Sequence, residues 1–286
     1  MSDIVLVAET GSDIPPALAR EHGIHLVPMH VTMGEQSLDD ATFPPEDVCS
    51  YYDRTGRLPK TSGCSPEDFS TVFEEIHRAH PEKKILHLAY SAATTVSYQS
   101  AAIAAEGLDY VKSIDTKHVS AGQAAVVLRL AKMLEEQPHL SIEHAVQAAH
   151  QLSQRARMCF IPKDLEYLRA GGRVSNVAAL GGTILKLHPC IEVVDGQLVA
   201  KKKYRGRLEK VVPALIREYS QRENLERGHA ILIWSPGLPG HVQELAEQEV
   251  RACGFADFTW FKTGCVITTH GGPGCFGLVG FTQGER

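Results

Sequence analysis

Residues 85–114 read ILHLAYSAATTVSYQSAAIAAEGLDYVKSI. Ile85–Tyr90 is a short apolar run of buried-strand type, and SAATTVS after it is a polar loop. Helical spacing follows from Tyr98 to Ala105, and a second apolar run covers Tyr110–Ile114. Strand, loop, helix and strand in that order make a crossover unit, which pairs its two strands in parallel.

The pattern extends toward the N-terminus. Ile4–Ala8 and Ile24–Val31 read as strands, with helices predicted over Pro16–His22, Pro45–Arg54 and Pro66–His80. The last of these has a marked start: Ser65 as N-cap, Pro66 at the first helical position, and Glu67 and Asp68 at the positive end. Downstream, helices are expected over Ser120–Glu136 and Ile142–Ala156. Strands alternating with helices imply a mainly parallel sheet covered on both faces, a three-layer arrangement. Near residue 160 the pattern changes. DLEYLRAGG reads as a helix stopped by paired glycines, and IEVVDGQLVAKKKY as a hairpin turning at Asp195-Gly196. Helix Leu208–Arg222, strand Ala230–Trp234, helix Gly240–Ala252 and a Gly-rich strand region complete the chain. The expectation is an α/β protein of two domains: residues 1–160 with a mainly parallel sheet, and residues 161–286 with a mixed one.

Composition narrows the function. The chain has 286 residues, 43% hydrophobic and 22% charged, with a net charge of −5. That is ordinary globular material without the basic excess of a nucleic-acid binder. Seven cysteines form no CxxC pair, which fits reduced thiols in a cytoplasmic protein. The opening MSDIVLVAETGSD is acidic and enters a strand directly, unlike a signal peptide. No apolar stretch approaches the ~18 residues of a transmembrane helix.

Several catalytic patterns fail on context. Gly272, Gly274 and Gly277 spell GxGxxG, but too little chain follows to build a dinucleotide-binding unit. There is no GxxxxGK[ST] loop and no HExxH, and the histidines lack metal-ligand spacing, so neither a cofactor nor a metal is expected. Cys265 and His270 are five residues apart; on one strand that spacing puts them on opposite faces, against a thiol–imidazole pair. Three hydroxyl-rich loops remain: Glu9–Asp13, Lys60–Gly63 and Ser91–Ser97. Loops that follow parallel strands gather at the carboxyl edge of the sheet, and hydroxyls with free N–H groups there seat an anion. Arg173 and the basic run Lys201, Lys202, Lys203, Arg205 and Arg207 read as a solvated face or as a surface for a partner or a phosphate.

In this order the motifs resemble the DegV family of bacterial fatty-acid-binding proteins. The likeness rests on Ser12-Asp13-Ile14-Pro15 after the first strand, Lys60-Thr61-Ser62 before Ser65-Pro66, and Thr94–Ala101. It continues in Ile114-Asp115-Thr116, Val119–Gly122, Asp164–Leu168 running into Gly171–Ser175, Tyr204-Arg205-Gly206 and His270–Gly274. The resemblance implies a carrier of one long-chain fatty acid, its carboxylate at the domain junction and its tail in an apolar tunnel. Such a carrier presents the acid to a separate ATP-dependent fatty acid kinase and turns nothing over alone. It also implies that Thr61, Thr95 and His270 hold the carboxylate with Ser62 nearby, while Arg173 and Arg205 face the kinase or the phosphorylated head. Thr95 and Val96 stand where the family has serine and glycine, and Ser235-Pro236 where it has His-Ala. The alternatives are a small-carbonyl-binding subunit of the dihydroxyacetone-kinase kind and a hydrolase using His270.

Overall fold

A computed structural model describes residues 2–163, 165–174 and 187–284. Strands β1 (Ile4–Glu9), β2 (Ile24–Val27), β6 (Lys84–Ala89) and β7 (Val111–Asp115) form a sheet in the order β2-β1-β6-β7, every pair parallel. All six residues of β1 are buried, as the centre of a sheet covered on both faces requires. Helix α3 (Pro66–Ala79) packs on α4 (Ser97–Ala104), and α5 (Ser120–Glu136) on α6 (Ile142–Arg155). The start of α3 carries a full capping box, Ser65 and Asp68 each satisfying the other's backbone N–H.

The run Ile24–Val31, expected as one strand, divides. Pro28 has no N–H to give a ladder, so the chain leaves β2 there and resumes as β3 (His30–Met33). That strand joins β4 (Gln36–Asp39) and β5 (Lys60–Ser62) in a separate antiparallel sheet, β4-β3-β5.

The second large sheet runs β10-β9-β8-β13-β11-β12. Its members are β8 (Ala156–Ile161), β9 (Leu187–Val194), β10 (Gln197–Arg205), β11 (His229–Trp234), β12 (Asp257–Lys262) and β13 (Phe276–Phe281). Among the described strands β11 and β12 pair in parallel and the other neighbours antiparallel, so the sheet is mixed. β8 belongs here, although most of it precedes the boundary expected at residue 160. The hairpin turns at Asp195 (φ 47°) and Gly196 (φ 81°), two left-handed positions that suit a tight two-residue turn. Helices α8 (Leu208–Arg222) and α9 (Gly240–Ala252) cover this sheet around a core of their own.

One helix joins the two halves. Eleven of the 17 residues of α5 are buried, and it packs on β1 and β6 on one side and β8, β11 and β13 on the other. A helix enclosed between two sheets is apolar nearly all round, and the main core is accordingly continuous from β1 to β13. Among the described residues no helix is long and apolar enough to cross a membrane.

Candidate functional site

The segment Cys265–Gly271, read as strand, is a helix, α10. Its backbone N–H groups are taken by two buried carboxylates from the N-terminal half. Gly264 N donates to Asp13 Oδ1 at 2.7 Å, and Cys265 N to Asp40 Oδ1 at 2.9 Å. Negative charge at a helix start is favourable. Burial nevertheless pushes the pKa of both carboxyls up, that of Asp13 strongly. Five helical residues turn about 140°, so Cys265 and His270 still face apart, and burial raises the Cys265 thiol to about 12. The thiol–imidazole pair is absent for a helical reason rather than a strand one.

His270 sits near the end of α10. Its Nε2 lies 2.8 Å from Thr61 Oγ1. Burial, then the Arg173 charge, lowers its pKa to about 4, so the ring is neutral at pH 7. The turn after it is held by Ser235, which accepts from Cys275 N at 2.8 Å and donates to Gly272 O at 2.7 Å. Thus the serine that departs from the family pattern ties down the histidine loop. The glycines that stop helix α7 (Glu166–Gly171) have a second use: a Cβ on Gly171 would come within 2.4 Å of His270 Nδ1.

Thr61 lies on β5 opposite Val31, and Ser62 opposite His30. His30 bridges Asp39 and Asp68 at 3.0 and 2.9 Å, and these partners raise its pKa against the pull of burial. That contact fastens the small sheet to the start of α3. The loop before α4 meets β5 at Gly63, where a Cβ would stand 2.4 Å from Thr95 Oγ1 and 2.6 Å from Ser97 Oγ. Ser97 Oγ accepts from Cys64 N at 3.2 Å. The two hydroxyl loops touch because residue 63 has no side chain.

These groups surround a space of about 890 Å³ that is partly open to solvent. Thr61, Ser62, Thr95 and His270 all line it. Arg173, an exposed side chain, borders it as well. Arg205 does not: it is exposed on the edge strand β10, and its neighbour Lys202 is already paired with Glu218. The rest of the wall is largely apolar, with Met29 and Tyr90 from the first half and Met158, Phe160, Leu198 and Ile233 from the second. The cavity therefore lies at the junction of the halves.

The first hydroxyl loop is not part of it. Thr10 Oγ1 accepts from Met29 N, Asp13 caps α10, and buried Glu9 accepts from Tyr90 N and Gln123 Nε2. This loop braces the site from behind. Sequence reasoning missed Ser120 and Thr263 in the wall. Ser120 carried a signal, since it falls in the Val119–Gly122 element; it takes φ 49° and donates to Asp13. Asp164 and Ser175, both in motifs noted above, lie outside the described residues.

Nor do the GxGxxG glycines cradle a nucleotide. Gly272 lies against Tyr167, Gly274 against Lys163 and Gly277 against the backbone of Cys159, and strand β13 follows instead of a helix.

Fold and site define an α/β protein built on two large sheets and one small one, with hydroxyl and imidazole groups in the wall of a largely apolar cavity between its halves. The model of the family described as "Uncharacterised protein, DegV family" matches residues 3–283. The chain belongs to the DegV family. It is 28% identical to a DegV domain-containing protein of Caldanaerobacter subterraneus subsp. tengcongensis, over 97% of this chain and 98% of that one. It is 25% identical to a fatty acid-binding protein of Thermotoga maritima, over 96% of each. A solved structure described as fatty acid binding of a DegV family protein from Thermus thermophilus superposes with a TM-score of 0.87 at 28% identity, covering 98% of this chain and 99% of that one. These relatives lend no support to the small-carbonyl alternative.

Proposed function

We propose that this protein binds one long-chain fatty acid, holding the carboxylate on Thr61, Thr95 and His270 with Ser62 beside them. The observation that carries this is the cavity itself: its wall brings Thr61, Ser62, Thr95 and His270 together, is otherwise largely apolar, and holds no acidic residue among the described lining. A buried carboxylate needs two or three donors, since leaving it unpaired is costly. The tail needs volume only, each buried CH₂ contributing about 0.8 kcal/mol. Neutral His270 serves as a donor without a charge of its own, and Arg173 in the same wall supplies the positive field.

The acid so held is presented to a separate ATP-dependent fatty acid kinase that forms the acyl phosphate, and this chain alone turns nothing over. Exposed Arg205 belongs to the face the kinase meets. The working division of the chain falls just before Ala156, where β8 enters the second sheet. A cytoplasmic site of action agrees with seven unpaired cysteines.

Native mass spectrometry followed by organic extraction tests the reading. The protein purified from bacteria should carry close to one equivalent of fatty acid. A protein that arrives empty and also takes up neither palmitate nor oleate defeats it.

A further inference from the structure

A second group of hydroxyls lines the cavity at the other end of α10 from His270. Tyr90, Ser120 and Thr263 all stand in the wall, and they are 8%, 1% and 3% exposed. All three gather around Asp13. Ser120 Oγ donates to Asp13 Oδ2, and Thr263 precedes Gly264, whose N–H donates to Asp13 Oδ1. The Tyr90 ring packs on the turn just before Asp13: a Cβ on Gly11 would stand 3.3 Å from Tyr90 Cε2.

Helix α10 sets the distance between this group and the head-group seat. Gly264 opens the helix beside Asp13, and His270 stands near its end against Thr61. At ~1.5 Å of rise per residue, the stretch from one to the other spans about 9 Å. Val266 and Ile267 line the cavity in between. An extended chain advances ~1.2 Å per bond, so an acyl chain anchored at His270 reaches the second group after about eight bonds.

The three hydroxyls differ in what they already hold. Ser120 gives its proton to Asp13, and Thr263 Oγ1 lies 2.8 Å from Thr268 Oγ1. The Tyr90 hydroxyl has no hydrogen-bond partner among the described residues; that residue's bond to Glu9 Oε2, at 2.9 Å, comes from its backbone N–H. Burial, then the Asp13 charge, raises the Tyr90 pKa, so the phenol keeps its proton and remains a donor. A buried donor left unpaired is costly, and nearly all such groups in folded proteins are paired. A plain hydrocarbon tail offers Tyr90 nothing to donate to. An oxygen on the tail does, and Ser120, its own proton committed, keeps lone pairs to accept from a hydroxyl.

We propose that Tyr90 and Ser120 form a second polar subsite in the cavity, which takes a hydroxyl on the middle of the acyl chain and makes mid-chain hydroxy fatty acids the preferred ligand class. This rests on the fatty-acid reading of the cavity and narrows it. Native mass spectrometry of the full chain, with equimolar stearate and 10-hydroxystearate in competition, tests it. Wild type should favour the hydroxy acid about tenfold, the scale of one buried hydrogen bond. 2-Hydroxystearate, which carries its hydroxyl at the head, should gain far less over stearate. Tyr90→Phe removes one hydroxyl that holds no partner in the protein, so Tm should stay at the wild-type value while the preference falls to about one-to-one. Equal uptake of stearate and 10-hydroxystearate by wild type, an equal gain for the 2-isomer, or an undiminished preference in Tyr90→Phe overturns the subsite. The comparison of isomers needs no variant, so it decides the matter even if Tyr90→Phe fails to fold. A chain that takes up stearate without discriminating refutes the subsite alone, whereas one that takes up none of the three acids refutes the fatty-acid reading and the subsite together.

Discussion

Gly63→Ala should damage the site without touching any donor. Gly63 has ordinary backbone angles, so alanine is conformationally allowed and only space is at issue. The added methyl would stand 2.4 Å from Thr95 Oγ1, 2.6 Å from Ser97 Oγ and 3.3 Å from Ser97 N. Rotating one hydroxyl does not relieve three contacts, one of them backbone, so the β5 loop and the α4 loop must part. Overpacking of this kind costs about 1–3 kcal/mol. Separation also strains the bond from Cys64 N to Ser97 Oγ, a net contribution of about 0.5–1.5 kcal/mol. Thermal melts should show a fall in Tm of roughly 2–10 °C for a chain of this size. Extraction should show acid content falling with it, because Thr95 moves off the seat. Gly228→Ala is the control: nothing lies within 4 Å of its Cβ position and its φ is ordinary. If Gly63→Ala melts with Gly228→Ala and keeps its acid, the contact that closes the seat is not where the structure places it.

Four further outcomes are expected. His270→Gln keeps a donor and should retain clearly more acyl-phosphate formation with the partner kinase than His270→Ala, whose loss is about 1.5–3 kcal/mol; both should keep acid, and equal inactivity points to a catalytic histidine instead. With its pKa lowered to about 4, folded acid-free protein takes up the His270 proton later than the unfolded chain does near pH ~6.5. The stability from this group is thus full above ~6.5 and is lost as pH falls toward 4, so His270→Gln should flatten the Tm–pH curve in that window. Arg173→Ala should move the His270 titration upward by NMR, and an unchanged titration would remove Arg173 from the seat. Arg205→Ala should keep its acid yet lower acyl-phosphate formation, whereas a lipid-free variant puts Arg205 in the head-group site after all.

The sequence alone carried the local decisions. Period, caps and turn residues are properties of neighbours, so α5 and α8 begin and end where their spacing and flanks say. The Ser65 N-cap and the Asp195-Gly196 turn were legible for the same reason, since each is closed within a few residues. Thr61, Thr95 and His270 were legible through motifs, each on its own stretch of chain. What the sequence could not contain was their meeting. Thr61 and His270 are 209 positions apart and touch only because Asp13 and Asp40 hold α10 against the first half. Likewise the division of the Ile24–Val31 run, the helical state of Cys265–Gly271 and the place of Arg173 at the rim of the cavity depend on partners far along the chain. Tertiary packing alone decided them: a backbone N–H or an arginine takes whichever partner the fold brings near, and local spacing does not record which one that is.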